Sequence, residues 1–381
     1  MQDKLQNKFR YSTLSAFVLL TACAPIQLPP EHFSSNAAAT VVGCAGNART
    51  ALPCRTDKLP PVAVLDRIAA TTNVQASGDT LTFALSAPAA KFVDVIGGLR
   101  TATVRVPGTD IWAVSVHVPE LQKARIGFQF ITDTTRGYAA VHEFRGSAAK
   151  AGPLRSSILH GSIRTDTLYS YALTATRQLM TYTPPQATHD KPLKVIYAAD
   201  GAMVRSLAPA MDTLIAAGLM EPVVIVGVVA AAADDRAREY VYGYDVDSTR
   251  FVAHEKFFID EVSAWAESTL HVSSARQDRT IWGASNGGAF AVAMGLRHPD
   301  RFARVIAMSP VYADIPTPNS SAALPQFFLA AGTFEETTET RAGLLGNVLR
   351  GMRAPTKFEE FVGGHDAVVW VDTSVRDYLS Q

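Results

Sequence analysis

Thr280-Ile281-Trp282-Gly283-Ala284-Ser285-Asn286-Gly287-Gly288 is the stretch that decides the fold. A short apolar run enters a Gly-x-Ser-x-Gly turn, and an amphipathic segment, 286–298, leaves it. Such a turn has a mechanical purpose. The serine sits in a strained strand-to-helix corner, and small residues two places before and after it let strand and helix approach. Its hydroxyl then stands above the carboxyl edge of a sheet, at a helix N-terminus that favours developing negative charge. Ser285 is the candidate nucleophile.

Working outward, nearly continuous apolar runs recur at 193–199, 222–229, 304–308, 326–331 and 357–362. Runs of this kind imply strands buried on both faces, as in a parallel sheet. Helical stretches at 203–220, 255–269, 286–298, 339–352 and 368–381 fall between them, and in the second Phe257, Phe258, Val262 and Trp265 form one apolar stripe. This alternation predicts a doubly wound, mostly parallel α/β domain over 151–381.

A serine needs a base. Two histidines follow Ser285. His298 precedes Pro299 at a predicted helix end and reads as a capping or surface residue. His365, in Gly363-Gly364-His365-Asp366, directly follows the last apolar strand, where this order of elements requires a base. The paired glycines are expected to let that loop turn sharply. The orienting carboxylate belongs on the loop after the preceding strand, which makes Glu335 the candidate, with Glu336 and Glu339 as neighbours; the alternative is a set of solvated helix-start carboxylates. Asp366 reads as an outer neighbour of the base. Two main-chain N–H groups are needed for an oxyanion: Asn286 after the serine, and Ala202 in the loop after the strand ending at Asp200.

Residues 66–150 read differently. Short alternating runs, such as Leu81–Leu85, Thr103–Val106, Trp112–Val116 and Ile126–Phe130, are separated by turn signals and predict a small antiparallel β-sandwich. Residues 24–61, rich in Gly, Ala and Pro, show no sustained period, and 23–65 read as a tether. At the start, Lys4, Lys8 and Arg10 precede an apolar run, Leu14 to Ala22, too short to span a bilayer. Residues 1–22 therefore read as a secretory signal. The signal ends Leu20-Thr21-Ala22-Cys23, which resembles a bacterial lipobox with Cys23 as the lipidated first residue; the alternative is an ordinary signal with a chance cysteine. The residue after it, Ala24, is not Asp, which by resemblance to lipoprotein sorting favours the outer membrane. Export leaves Cys44 and Cys54 in an oxidising compartment, either paired or as free thiols.

Composition excludes several classes. With 48% hydrophobic residues among 381, the chain holds enough apolar surface for sizeable cores. Lys+Arg and Asp+Glu balance at 35 each, which gives no field to gather a nucleic acid. No His/Cys/carboxylate cluster has metal-ligand spacing, so no metal or cofactor is expected.

The chain resembles the enterochelin (enterobactin) esterases, within a broader branch that includes mycolyltransferases and feruloyl esterases. The matching segments are Tyr197 to Gly201, Arg236 to Tyr240, Gly283 to Gly288, Ala331-Gly332 with Glu335, and Gly364-His365-Asp366-Ala367 with Trp370. Gly108-Thr109-Asp110-Ile111-Trp112 resembles that family's N-terminal sandwich. The resemblance implies an α/β-hydrolase preceded by an Ig-like (early-set) sandwich, and a serine esterase acting through Ser285 and His365. It implies that Arg236 or Arg238 faces the site, where a guanidinium meets an anionic catecholate, with Asp200 and Trp370 as further substrate contacts; the alternative for the Arg/Glu cluster is a surface salt-bridge network. Where the family often has Glu-Leu-Leu-Pro, this chain has Glu261-Val262-Ser263-Ala264-Trp265, so the site wall differs. The expected substrate is a small-molecule ester, a ferric catecholate siderophore of the trilactone type first. The alternatives are a feruloyl or acetyl ester of a carbohydrate, or a non-catalytic lipoprotein that binds a glycan or siderophore.

Overall fold

The computed structural model describes residues 40–44, 51–135, 141–185 and 191–379. The signal segment, Cys23 and most of the expected tether lie outside the described residues.

The fold is mixed α/β. Its front unit holds β1 (Cys54–Arg55), β2 (Val74–Ser77), β3 (Thr80–Ser86), β4 (Val93–Gly97), β5 (Thr101–Ala102), β6 (Val104–Arg105), β7 (Ile111–His117), β8 (Arg125–Thr132) and β9 (His142–Arg145). These make two antiparallel sheets, β1-β7-β3-β2 with β6 on β7, and β5-β4-β8-β9. Alternation sets their packing. Leu81, Phe83, Val114 and Val116 of the first sheet share one core with Val95, Ile126 and Phe128 of the second. The residues between them, Ala84 and Ala113, face the other way and are covered by Leu65 and Ile68 of the helix Val62–Ala70.

That helix and β1 correct the tether expectation. Thr40 bridges to Arg100, Gly43 to Arg55, and Cys54 pairs across β7 with His117, so the described part of the stretch is built into the front unit. Cys44 and Cys54 form a disulfide across this segment. A two-residue strand and one short helix behind Pro60-Pro61 carry too little periodicity to be read beforehand.

The second unit is an eight-stranded sheet in the order β10-β11-β13-β12-β14-β15-β16-β17. Its members are β10 (Ser162–Ser170), β11 (Ala175–Thr183), β12 (Lys194–Ala198), β13 (Val223–Val228), β14 (Arg279–Ala284), β15 (Arg304–Met308), β16 (Gln326–Gly332) and β17 (Thr356–Phe361). All pairings from β13 to β17 are parallel. The antiparallel hairpin β10–β11 at the edge was not foreseen. Its first strand alternates exposed and half-buried residues and is rich in Ser, Thr, Arg and Asp, so it gives no apolar signal.

Helices cover both faces. Val204–Ala216 and Ala367–Ser374 pack on one, with Trp282 at the centre donating its indole N–H to Ser374 Oγ at 2.7 Å. Ala233–Tyr240, Asn286–Arg297 and Glu336–Gly351 pack on the other, with a helical run from Thr249 to Leu270 that widens to a π-turn over Phe257–Val262. On that second face Phe290 lies fully buried, its ring 5.1 Å from both His254 and Phe258 and 5.4 Å from Tyr240. Phe290→Ala should therefore lower unfolding free energy by about 3–5 kcal/mol in chemical denaturation.

Candidate active site

The parallel strands deliver five loops to one edge, as open α/β sheets do at their carboxyl ends. They are Asp200–Met203 after β12, Ser285 after β14, Ser309 after β15, Glu335 after β16 and His365 after β17.

Ser285 lies in the sharp corner between β14 and the helix Asn286–Arg297, at φ 57° and ψ −127°. This is a left-handed conformation that a side-chain-bearing residue adopts only when its surroundings enforce it. The enforcement is visible. A Cβ at Gly283 would lie 1.9 Å from Gly287 O, and one at Gly287 would lie 2.7 Å from Asp200 Oδ2. Ser285 N–H donates to Met308 O at 2.9 Å, and its carbonyl accepts from Gly288, Ala289 and Val311. The residue is half-buried.

Glu335 and His365 meet at the same sheet edge. His365 Nδ1 is 2.5 Å from Glu335 Oε2, and the Glu335 side chain is fully buried. Its other oxygen accepts from Gly332 N–H at 2.8 Å and from the Ser309 hydroxyl at 2.7 Å. Ser309 itself accepts the indole N–H of Trp370 at 2.8 Å, so its own hydrogen is directed to the carboxylate. A carboxylate can only accept, so the network places hydrogen on His365 Nδ1, and the neutral imidazole then has its lone pair on Nε2. Ser309 follows Met308, the residue that anchors Ser285, which ties the serine corner to the Glu335–His365 pair. Among the described residues no hydrogen bond joins the Ser285 hydroxyl to His365. Such bonds are often long before substrate arrives and tighten in the complex.

The neighbouring acids separate clearly. Glu336 is exposed at the start of its helix. Glu339 is half-buried, and burial first, then a hydrogen bond with Glu360, raises its pKa. His298 bonds Glu255 at 2.8 Å at the far end of the helix Asn286–Arg297. Asp366 is buried and caps the helix Ala367–Ser374, accepting from Val368 at 2.9 Å, Val369 at 3.2 Å and, across the units, Gly127 at 3.2 Å.

The two main-chain donors follow adjacent strands, β12 and β14. Asn286 is the first residue of its helix, and Ala202 lies in the single turn Gly201–Met203. Amides at such positions have no partner within their own helix.

Arg236 and Asp200 form a two-point pair, Nε to Oδ1 at 2.8 Å and NH2 to Oδ2 at 2.7 Å. Burial pulls the guanidinium pKa down, but the Asp200 hydrogen bond and charge outweigh it, so the net shift is upward. The pair abuts Gly287, in the first turn after Ser285. Arg238 does not join it. Two residues apart on a helix means nearly opposite faces, and Arg238 is exposed, 3.7 Å from Asp245. Trp370 also departs from expectation. It is buried, its ring 4.6 Å from that of His365, and it packs against that imidazole rather than lining an open wall. Ser309 was missed in the sequence; a serine ending the strand just beside the elbow was its only signal.

The paired glycines have a different reason from the one expected. Neither Gly363 nor Gly364 has a positive φ. A Cβ at Gly364 would lie 1.8 Å from Gly98 O, and one at Gly363 2.8 Å from Arg125 O, so both make room for the front unit's backbone.

A family model for the putative esterases matches residues 170–370. The chain belongs to the putative-esterase family and is a carboxylic-ester hydrolase. Among solved structures it is similar to the ferric enterobactin esterase of Salmonella typhimurium, at 17% identity and TM-score 0.64, over 83% of this chain and 98% of that one. It is likewise similar to the enterobactin esterase of Shigella flexneri crystallised with 2,3-di-hydroxy-N-benzoyl-serine, at 18% identity and TM-score 0.62, over 80% and 94%. At these identities the likeness establishes the fold. No curated protein matches the chain.

Burial is the main influence on Asp366 and pushes its pKa up to about 7; the amides of Val369, Gly127 and Val368 pull it down, and the Glu335 charge adds to the rise. The folded state thus holds a proton that the unfolded chain releases near pH 4. Stability contributed by this group is full below about pH 4 and is lost as pH rises through about 7. Urea titrations across that window should show the decline, and Asp366→Asn should flatten it.

Proposed function

We propose that the chain is an exported serine esterase that works through an acyl-enzyme. The observation that carries this is the buried Glu335–His365 pair gathered with a strained Ser285 at one sheet edge. Ser285 Oγ attacks the ester carbonyl carbon while His365 Nε2 takes its proton. The amides of Asn286 and Ala202 hold the negative oxygen of the tetrahedral intermediate. As the C–O bond breaks, His365 returns the proton to the departing alcohol. Water, deprotonated by His365, then adds to the acyl carbon and releases the acid and the free serine. Glu335 keeps the imidazole in its working tautomer. A pure binding module has no use for the strained corner.

The substrate we favour is a catecholate trilactone. Support comes from the solved neighbours, whose structures were determined in the presence of enterobactin or its benzoyl-serine fragment, and from Arg236 beside the serine turn. A second reading has its own observation. Asp200 takes up the Arg236 charge in a two-point pair, which leaves that wall suited to a neutral aryl ester such as a feruloyl group.

The same proposal covers the rest of the chain. Residues 151–381 are the α/β-hydrolase unit, the front two-sheet unit with its helix Val62–Ala70 is an Ig-like accessory sandwich, and 1–22 are a signal that ends at a lipidated Cys23 on the outer membrane. The Cys44–Cys54 disulfide supports export, because such bonds persist in oxidising compartments.

Two results follow. A fluorophosphonate probe should label the wild type and not Ser285→Ala, and Glu335→Gln should lower kcat for p-nitrophenyl acetate by about 10²-fold or more through loss of the tautomer control. Mass spectrometry after incubation with a catecholate trilactone should show linear ester fragments. Free ferulate from a feruloylated sugar, with the trilactone intact, would favour the second substrate.

A further inference from the structure

The loops that hold Glu335 and His365 are not free-standing. Phe334, immediately before Glu335, is buried in the front unit's own core with Val95, Leu99 and Phe128. Its N–H donates to Gly363 O at 3.0 Å, linking the two loops to each other. On the His365 loop, Val362 O accepts from Arg125 N–H at 3.0 Å, and Gly364 lies directly against Gly98 O. The next residue but one, Asp366, turns its carboxylate into the front unit.

The fit around that carboxylate is close. A Cβ on Gly98 would lie 2.5 Å from Asp366 Oδ2, and a Cβ on Gly127 would lie 2.9 Å from Oδ1 and 2.8 Å from Val368 Cγ2. Neither glycine has a positive φ, so what the site uses is their missing side chain. The two oxygens divide the work. Oδ1 accepts from Val368 and Val369 and caps the helix Ala367–Ser374, whose Trp370 backs His365. Oδ2 accepts from Gly127 N–H, a residue 239 positions earlier in the chain. A simple helix cap accounts for the first oxygen and not for the second.

We propose that the front two-sheet unit is a positioning element for the reaction: it seats Asp366 between Gly98 and Gly127 and thereby holds His365 and Glu335 in place over Ser285. Asp366 acts through His365 and touches no reacting atom. The proposal rests on His365 being the base. Displacing a catalytic group by about 1 Å costs on the order of 10²-fold in rate. The Asp200–Arg236 wall and the oxyanion amides lie on other loops, so loss of this seat should act on turnover and spare substrate binding.

The test uses the full chain and p-nitrophenyl acetate. Gly98→Ala, Gly127→Ala and Asp366→Asn are each compared with wild type by kcat, KM, rate of fluorophosphonate labelling and thermal melting. Asp366→Asn keeps the shape and one acceptor for the helix cap while setting an N–H₂ group against the Gly127 N–H. Expected is a fall in kcat and labelling rate of about ten- to a hundredfold, with KM within about threefold and a cooperative melt. Gly127→Ala and Asp366→Asn disturb one contact, so the double variant should lose little more than the worse single one. Folded variants with wild-type kcat, or losses that simply multiply, would overturn the proposal. Should an alanine variant fail to fold, Asp366→Asn decides alone. Ser285→Ala and His365→Ala run beside them: turnover surviving in either would refute the catalytic reading, whereas dead controls beside fully active front-unit variants would refute only the positioning role.

Discussion

The buried carboxylate of Glu335 is the constraint on which the site depends. A carboxylate taken out of water is costly unless both of its oxygens are hydrogen-bonded. Here one oxygen takes Gly332 N–H and the Ser309 hydroxyl, and the other takes His365. Each partner comes from a different strand end or loop, so satisfying the charge also assembles the edge of the sheet. Ser309 is held in turn by Trp370, and Trp370 lies against the imidazole. The result is a closed ring of contacts in which the histidine has one orientation and one tautomer.

Around this ring, missing side chains matter as much as present ones. Gly283 lets β14 close on the Gly287 carbonyl in the turn after Ser285, and Gly287 leaves room for the Asp200 carboxylate. Between the two units Gly364 admits the Gly98 carbonyl, and Gly98 admits the Asp366 carboxylate. At each of these glycines the missing side chain makes room for a neighbouring backbone or carboxylate, and at none does a left-handed conformation explain the glycine. Strain at the serine and tight seating at the histidine loop are therefore supported by the same device.

Much of this was legible in the sequence. The parallel strands announce themselves because burial on both faces leaves nearly uninterrupted apolar runs, as in Val223–Val228. Ser285, Glu335 and His365 could be ordered along the chain because the strand sequence fixes which loops share an edge. What stayed hidden depends on contacts between distant segments. Ser309 carries no local pattern. Trp370 looked like a substrate contact because a motif gives identity without direction, and Arg238 shared the fate of any residue two places from a helical neighbour. The hairpin β10–β11 is polar and at an edge, and the helix Val62–Ala70 is too short to outweigh the irregular segment before it.

The chain belongs to the putative-esterase family, and the proposed reaction passes an acyl group to a serine. The central claim is that this acyl group resides on Ser285. Stopped-flow mixing with p-nitrophenyl acetate, quenched within the first turnover and followed by peptide mass spectrometry, tests it directly. The account predicts a stoichiometric burst of nitrophenol with the acetyl mass on the peptide bearing Ser285. Sustained turnover with that peptide unmodified, or an acetyl group on another side chain, would contradict it.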